Sequence, residues 1–127
     1  MSRAWIVLAV AAGGAIGSLA RYGLARSLHG QFATGFPIGT LAANILGCLA
    51  IGFCYVWLEH RGSPILREFI RVGLLGGLTT FSSYAIESVA LMEKGQHLLA
   101  ACNVIGSVAG GLAAAMVGIA VGRVVLG

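Results

Sequence analysis

The feature that most constrains this chain is a set of four long stretches almost free of charge, separated by short charged clusters. The stretches cover about residues 4–24, 36–58, 70–93 and 98–123 and consist mainly of Ala, Leu, Ile, Val and Gly. About 20 apolar residues are enough for an α-helix to cross a bilayer. Only 9% of the 127 residues are charged, compared with about a quarter in soluble domains. The sequence therefore predicts an all-α membrane protein with four transmembrane helices, in a single domain over residues 1–127.

The basic residues bear on orientation, since Lys and Arg concentrate on the cytoplasmic side of membrane proteins. If both termini and the middle loop share one side, that side carries five basic residues and the other side three. The first group is Arg3, Arg61, Arg67, Arg71 and Arg123, and the second is Arg21, Arg26 and Lys94. This weak bias leaves an antiparallel (dual-topology) homodimer open. The net charge of +4 is explained by membrane anchoring and requires no nucleic-acid partner.

Glycine is frequent, at 20 residues, and lies among apolar residues rather than in linkers. Small residues let helix backbones approach closely in lipid. Five glycine pairs are spaced four apart: Gly13 with Gly17, Gly35 with Gly39, Gly73 with Gly77, Gly106 with Gly110, and Gly118 with Gly122. These pairs predict close helix packing but do not identify which helices meet.

Polar and small residues form a stripe on one face of the second span and another on the fourth. The spacing of each stripe is i, i+4, i+7 and i+8, which places its members on one side of a helix. The stripes consist of Thr40, Asn44, Gly47 and Cys48, and of Asn103, Ser107, Gly110 and Gly111. Unpaired polar groups are unfavourable in lipid, so both stripes should face protein or a water-accessible path. Interhelical hydrogen bonds and contact with an ion both remain possible for each residue.

The third span is interrupted at membrane depth by the string Gly76-Gly77-Leu78-Thr79-Thr80. Glycines and β-branched threonines are poor helix residues, so the sequence predicts a broken helix with freed carbonyls, which commonly coordinate a cation. Phe81 and Tyr84 follow, three residues apart on one helical face. An aromatic ring is positive at its edge, so ring edges that line a pore can attract an anion weakly.

These strings resemble the Fluc-type (CrcB) fluoride channels. The shared residues are Gly13-Gly14 and Arg21-Tyr22 on the first span, Gly39-Thr40-Leu41, Asn44 and Gly47 on the second, and Gly76 to Ser82 on the third. The resemblance implies a dual-topology homodimer with two anion pathways in the bacterial plasma (inner) membrane. It also implies a structural Na⁺ at the dimer interface, held by the backbone carbonyls of Gly76 and Thr79.

The same resemblance implies which side chains line the fluoride path. They are Asn44 as an amide donor, Phe81 as a ring edge, and Thr40 and Ser107 as a hydroxyl track, with Tyr84 where the family usually has a second Phe. The chain has Asn103 and Gly111 where many members have Tyr and a second Ser. Arg21 matches a family arginine and Glu87 an acidic residue; a structural role is favoured for the first, and the role of the second stays open.

The implied function is passive export of cytoplasmic fluoride, with no catalytic residue and so no enzyme activity. A small drug/proton antiporter is the alternative, since it also has four spans; it would need a membrane-embedded carboxylate, for which Glu87 is the candidate. A noncatalytic assembly protein would explain the glycines but not the interruption. Enzyme chemistry is disfavoured because His29, His60 and His97 lie in separate loops with no carboxylate or cysteine at ligand spacing.

Overall fold

The computed structural model describes residues 2–30 and 35–127, and the regular structure of this part is helical. It contains four helices long and apolar enough to cross a membrane: α1 (Arg3–Leu28), α2 (Ile38–Arg61), α3 (Pro64–Glu93) and α4 (His97–Leu126). The prediction of four membrane-spanning helices is confirmed. The helices extend past most ends of the predicted stretches, whereas α2 begins at Ile38, two residues later than predicted.

The interruption of α3 is confirmed, but it is narrower than the sequence predicts. Gly76–Leu78 remains helical, and only Thr79 and Thr80 are extended, with φ/ψ of −88°/152° and −147°/124°. The helix resumes at Phe81, where the Thr80 side chain caps it by accepting from the Ser83 amide. We call residues 64–78 the first half of α3 and Phe81–Glu93 the second half.

The first half also contains a π-helical segment, Phe69–Leu75, which the sequence did not predict. In a π-helix each turn holds one more residue than in an α-helix, and such segments are rare. Its buried residues are Gly73 and Leu75, and Gly73 lies against Val10 and Gly13 of α1.

Glycines bring two pairs of helices into backbone contact. The first half of α3 packs against α1, where a Cβ on Gly13 or Gly17 would meet the carbonyl oxygen of Phe69 or of Leu74. Helix α4 packs along α2 in the same way, since a Cβ on Gly118 would meet the Leu49 carbonyl oxygen. The structure thus supplies packing partners that the glycine spacing left unspecified, although a Cβ on Gly35 or Gly106 would meet nothing within 4 Å.

A tight turn joins the second half of α3 to α4. Gly95 adopts a φ of 73°, its amide donates to the Met92 carbonyl, and the Gln96 amide donates to the Leu91 carbonyl. This pair of bonds is the Schellman motif, in which a left-handed glycine ends a helix. The two helices are therefore antiparallel neighbours.

Candidate functional site

The extended link between the halves of α3 is held by one side chain from α2. The Asn44 Nδ2 donates to the Thr80 carbonyl at 3.0 Å, and the Thr80 amide donates to Asn44 Oδ1 at 2.7 Å. The carboxamide thus pairs with both polar groups of one peptide residue, as a neighbouring β-strand would. This replaces hydrogen bonds that the broken helix cannot make, as buried backbone groups require.

The interruption also leaves two backbone carbonyls, those of Gly76 and Thr79, without the amide donors that a continuous helix would give them. In a continuous helix the Gly76 carbonyl would accept from the Thr80 amide, but that amide donates to Asn44. The Thr79 carbonyl would accept from the Ser83 amide, which donates to Thr80 Oγ1 at 3.2 Å. Carbonyl oxygens without amide partners suit a hard cation such as Na⁺. Gly76 and Thr79, the two residues expected to hold sodium, therefore fit it by their donor chemistry.

Side chains that prefer transition metals are not gathered anywhere in the described part of the chain, since no group of three or more His, Cys, Asp or Glu residues could hold a metal ion.

A third carbonyl at the interruption is bound by an arginine from α1. The Arg21 Nε donates to the Gly77 carbonyl at 3.1 Å. Gly77 itself lies against α1, where an added Cβ would come within 2.7 Å of the Gly14 carbonyl oxygen. Arg21 thus ties the end of the first half of α3 to α1.

A cavity of about 220 Å³ lies beside the interruption. Its lining residues are Asn44, Thr79, Thr80, Phe81, Tyr84, Ser107 and Val108. Four of the five side chains predicted for an ion path are therefore brought together here, from α2, the second half of α3 and α4. The amide, the hydroxyl and the two rings give the cavity weak hydrogen-bond donors and positive ring edges, which suit a small anion.

The two rings at this cavity are neighbours but differ in exposure. The centroids of Phe81 and Tyr84 are 5.3 Å apart, with the ring planes tilted by 53°. Tyr84 is 9% exposed, whereas Phe81 is 78% exposed. Phe81 therefore projects from the surface of the single chain at the edge of the cavity.

Thr40, the fifth predicted side chain, does not line this cavity. Its Oγ1 donates to Glu87 Oε1 at 2.8 Å, and the other carboxyl oxygen of Glu87 is buried without a hydrogen-bond partner among the described residues. Both residues line a separate cavity of about 450 Å³, together with His29 and Phe36 among others. The two members of the expected hydroxyl track, Thr40 and Ser107, thus line two different cavities.

Asn103, whose role the sequence left uncertain, is 1% exposed and bonds to a residue that sequence analysis missed. Its Nδ2 donates to Ser88 Oγ at 2.8 Å, and Ser88 Oγ donates to the Tyr84 carbonyl at 2.7 Å. Ser107 Oγ donates to Asn103 Oδ1 at 3.5 Å. Ser88 could have been noticed, because Phe81, Tyr84 and Ser88 are spaced i, i+3, i+7.

Comparison with known proteins gives one consistent result. Residues 8–119 match the family model described as CrcB-like protein, Camphor Resistance (CrcB). A protein of Paracoccus denitrificans named fluoride-specific ion channel FluC is 49% identical over 116 residues, covering 91% of this chain and 93% of the relative. A protein of the same name from Stutzerimonas stutzeri is 45% identical over 120 residues, covering 93% of this chain and 97% of the relative.

Proposed function

We propose that this chain, which belongs to the CrcB family, forms a fluoride-specific channel in a membrane and has no enzyme activity. The observation that carries the proposal is the cavity at the interruption of α3, where Asn44, Ser107 and two aromatic rings meet. A multi-pass membrane protein with relatives named as fluoride channels is the expected setting for such a cavity.

The donors at the cavity hold an anion only weakly. Asn44 Nδ2 has two hydrogens, and the bond to the Thr80 carbonyl uses one of them, which leaves the other to donate to fluoride. Ser107 adds one hydroxyl, and Phe81 and Tyr84 add ring edges. None of the described residues that line this cavity is cationic, and weak binding of this kind suits conduction, which requires that the ion can also leave.

The proposal includes a second copy of the chain, inserted in the opposite orientation. Phe81 is 78% exposed beside the cavity, so a single chain covers only one side of it. The weak charge bias of five basic residues against three is compatible with both orientations. An antiparallel homodimer would cover the rings and provide one pathway for each chain.

A structural Na⁺ belongs to the same proposal. The carbonyls of Gly76 and Thr79 would hold it, since the amides of Thr80 and Ser83 are engaged elsewhere. When bound, the ion supplies positive charge to carbonyl oxygens that the interrupted helix leaves without amides. Asn44 and Arg21 keep the neighbouring backbone in place by binding the carbonyls of Thr80 and Gly77.

Passive export needs no energy source beyond the membrane potential. Hydrofluoric acid enters cells as a neutral molecule and ionises inside, where the anion is trapped. A unit charge gains about 2.3 kcal/mol per 100 mV, which corresponds to roughly fiftyfold at equilibrium. In the bacterial inner membrane this channel would lower cytoplasmic fluoride and its toxicity. The names of the relatives support this function rather than the antiporter.

The test is fluoride efflux from liposomes that contain the purified protein and are loaded with potassium fluoride. A potassium ionophore lets K⁺ leave with fluoride, so that no membrane potential builds up to stop the efflux. A fluoride electrode records the release. We expect rapid fluoride efflux that chloride loading does not reproduce. Absence of passive efflux, or equal chloride flux, would contradict the proposal. Repeating the assay with Na⁺ replaced by a large organic cation tests the sodium site, for which we expect reduced flux.

A further inference from the structure

A chain of hydrogen bonds runs behind the cavity, through two buried side chains that do not line it. It begins at Ser107, which lines the cavity, and continues through Asn103 and Ser88 to the Tyr84 carbonyl. Asn103 and Ser88 are 1% and 4% exposed. We call these bonds the Ser88 network. It joins the second half of α3 to α4, and its two buried middle members, Asn103 and Ser88, do not line the cavity.

The direction of every proton in the Ser88 network follows from its last member. A backbone carbonyl can only accept, so Ser88 must donate its one hydroxyl proton to Tyr84, at 2.7 Å. Ser88 Oγ can then only accept from Asn103, which requires the NH₂ group of the amide to face Ser88. The oxygen of the same amide therefore faces Ser107, and Ser107 must donate to it. The orientation of an asparagine amide is usually ambiguous, but that of Asn103 follows here from its hydrogen-bond partners.

We propose that Ser88 and Asn103 are positioning residues that draw the Ser107 proton away from the cavity and so weaken fluoride binding there. The inference rests on the proposed channel function. A bound fluoride ion needs hydrogen-bond donors. The Ser107 hydroxyl can donate to it only if fluoride displaces Asn103 Oδ1 as the acceptor. The bond to Oδ1 is long, at 3.5 Å, against about 2.7–2.8 Å for a typical O–H···O bond. The hydrogen bond from Ser107 to Asn103 is therefore weak. Fluoride can replace Asn103 Oδ1 as its acceptor and then be released.

A hydroxyl donor that is weakly engaged in this way lets fluoride bind well enough to enter the site and weakly enough to leave it. If the amide of Asn103 were reversed, its NH₂ group would donate to Ser107 Oγ and the hydroxyl proton would point to the cavity. Fluoride would then be held more tightly and released more slowly. The hydroxyl of Ser88 prevents this reversal, although it lies outside the cavity lining.

Ser88→Ala tests the inference because it removes the acceptor that orients the amide. The buried Asn103 NH₂ group then regains a partner only by turning to Ser107 Oγ. We expect the fluoride concentration that gives half-maximal efflux to fall by roughly threefold, the effect of about one net hydrogen bond, with a lower maximal rate. The same substitution in a Ser107→Ala background should have no effect, because it acts through the Ser107 proton.

Ser27→Ala is the matched control. Its hydroxyl also donates to a backbone carbonyl on its own helix, that of Leu24 at 2.9 Å, but it is exposed and not part of the cavity lining. It should leave both flux parameters unchanged. Asn103→Leu is a second test that does not depend on the folding of Ser88→Ala. It removes the acceptor of the Ser107 proton and should shift half-saturation in the same direction.

Two results would overturn the inference while leaving the channel function intact. One is an unchanged half-saturation in both Ser88→Ala and Asn103→Leu. The other is an equal shift with and without Ser107, which would indicate a merely structural effect. Absence of fluoride efflux from the unaltered protein would instead contradict the channel function itself, and the inference with it.

Discussion

The two halves of α3 are held in the protein by different kinds of contact. The first half lies against α1 through glycines, where Gly13 and Gly17 meet backbone atoms of Phe69 and Leu74 directly. The second half is joined to α4 by the bond between Asn103 and Ser88, and to α2 by the bond between Thr40 and Glu87. The helix changes partners at Thr79 and Thr80, where the cavity lies.

The two kinds of contact should affect different properties of the protein, the first its folding and the second its transport of fluoride. Backbone against backbone leaves no room for adjustment, since protein interiors are closely packed. Hydrogen bonds between side chains can be lost or redirected at about 0.5–1.5 kcal/mol each. We therefore expect substitutions along the first half to decide whether the protein folds, and those along the second half to decide how fluoride moves. The predictions below are ordered by their expected effect on stability.

Gly17→Ala should have the largest effect. Its Cβ would meet the Leu74 carbonyl oxygen and lie 2.9 Å from the Leu78 amide nitrogen, both backbone atoms. We expect the folding free energy to fall by about 3 kcal/mol. The loss should appear as a lower melting temperature, defined as the temperature of heating at which half of the size-exclusion peak of the protein in detergent is lost. Gly14→Ala is the matched control, because its Cβ would meet nothing within 4 Å. Equal stability of the two variants would contradict the packing argument.

Asn44→Leu should rank second. It removes both bonds to Thr80, but the Thr80 amide can partly recover by returning to the Gly76 carbonyl as the helix closes. We expect a loss of about 2 kcal/mol in the same assay, together with loss of fluoride efflux. A variant that retained both stability and flux would show that Asn44 does not hold the interruption open.

Thr40→Val should cost less, about 1 kcal/mol. It removes the one hydrogen bond from α2 to Glu87 and leaves that carboxyl without a bonded partner among the described residues. Thr40→Ser keeps the hydroxyl and serves as the control. If Val and Ser variants melted at the same temperature, this bond would not hold the second half of α3 to α2.

Phe81→Ile should have the smallest effect on the folding of the single chain, within about 0.5 kcal/mol, because the ring is 78% exposed there and only a partner chain would cover it. Fluoride efflux should nevertheless fall about tenfold, which corresponds to ~1.4 kcal/mol in the barrier, since the ring edge is lost. Tyr84→Phe keeps both rings and should conduct at least as fast as the unaltered protein. Normal flux in Phe81→Ile would contradict a role for this ring.

The sequence predicts the parts of this fold that depend on local composition. The four apolar stretches became α1 to α4, and the interruption lies within the predicted string. Gly76 and Gly77, however, remain helical. Glycine lowers helix propensity by about 1 kcal/mol, but Gly77 lies where a Cβ would be 2.7 Å from the Gly14 carbonyl oxygen. Close packing against α1 therefore outweighs propensity at this position.

The parts that were not predicted depend on contacts between distant residues. Asn44 and Thr80 are 36 positions apart, and Thr40 and Glu87 are 47 apart, so spacing along one helix cannot reveal either pair. Ser88 was missed because a single serine in an apolar span usually bonds its own helix, as its bond to the Tyr84 carbonyl also does. The π-helical segment Phe69–Leu75 has no recognisable pattern of its own.

The turn centred on Gly95 has a consequence for how the chain enters a membrane. Three residues, Lys94 to Gln96, separate the second half of α3 from α4, and three residues extend over at most about 10 Å. The two helices must therefore insert as one hairpin, and the bond between Ser88 and Asn103, only 15 positions apart, can form as soon as that hairpin closes. Contacts close in sequence cost little loop entropy and form early. The bonds between Asn44 and Thr80 join residues 36 positions apart and require this hairpin to dock against α2, so we expect them to form after the bond between Ser88 and Asn103.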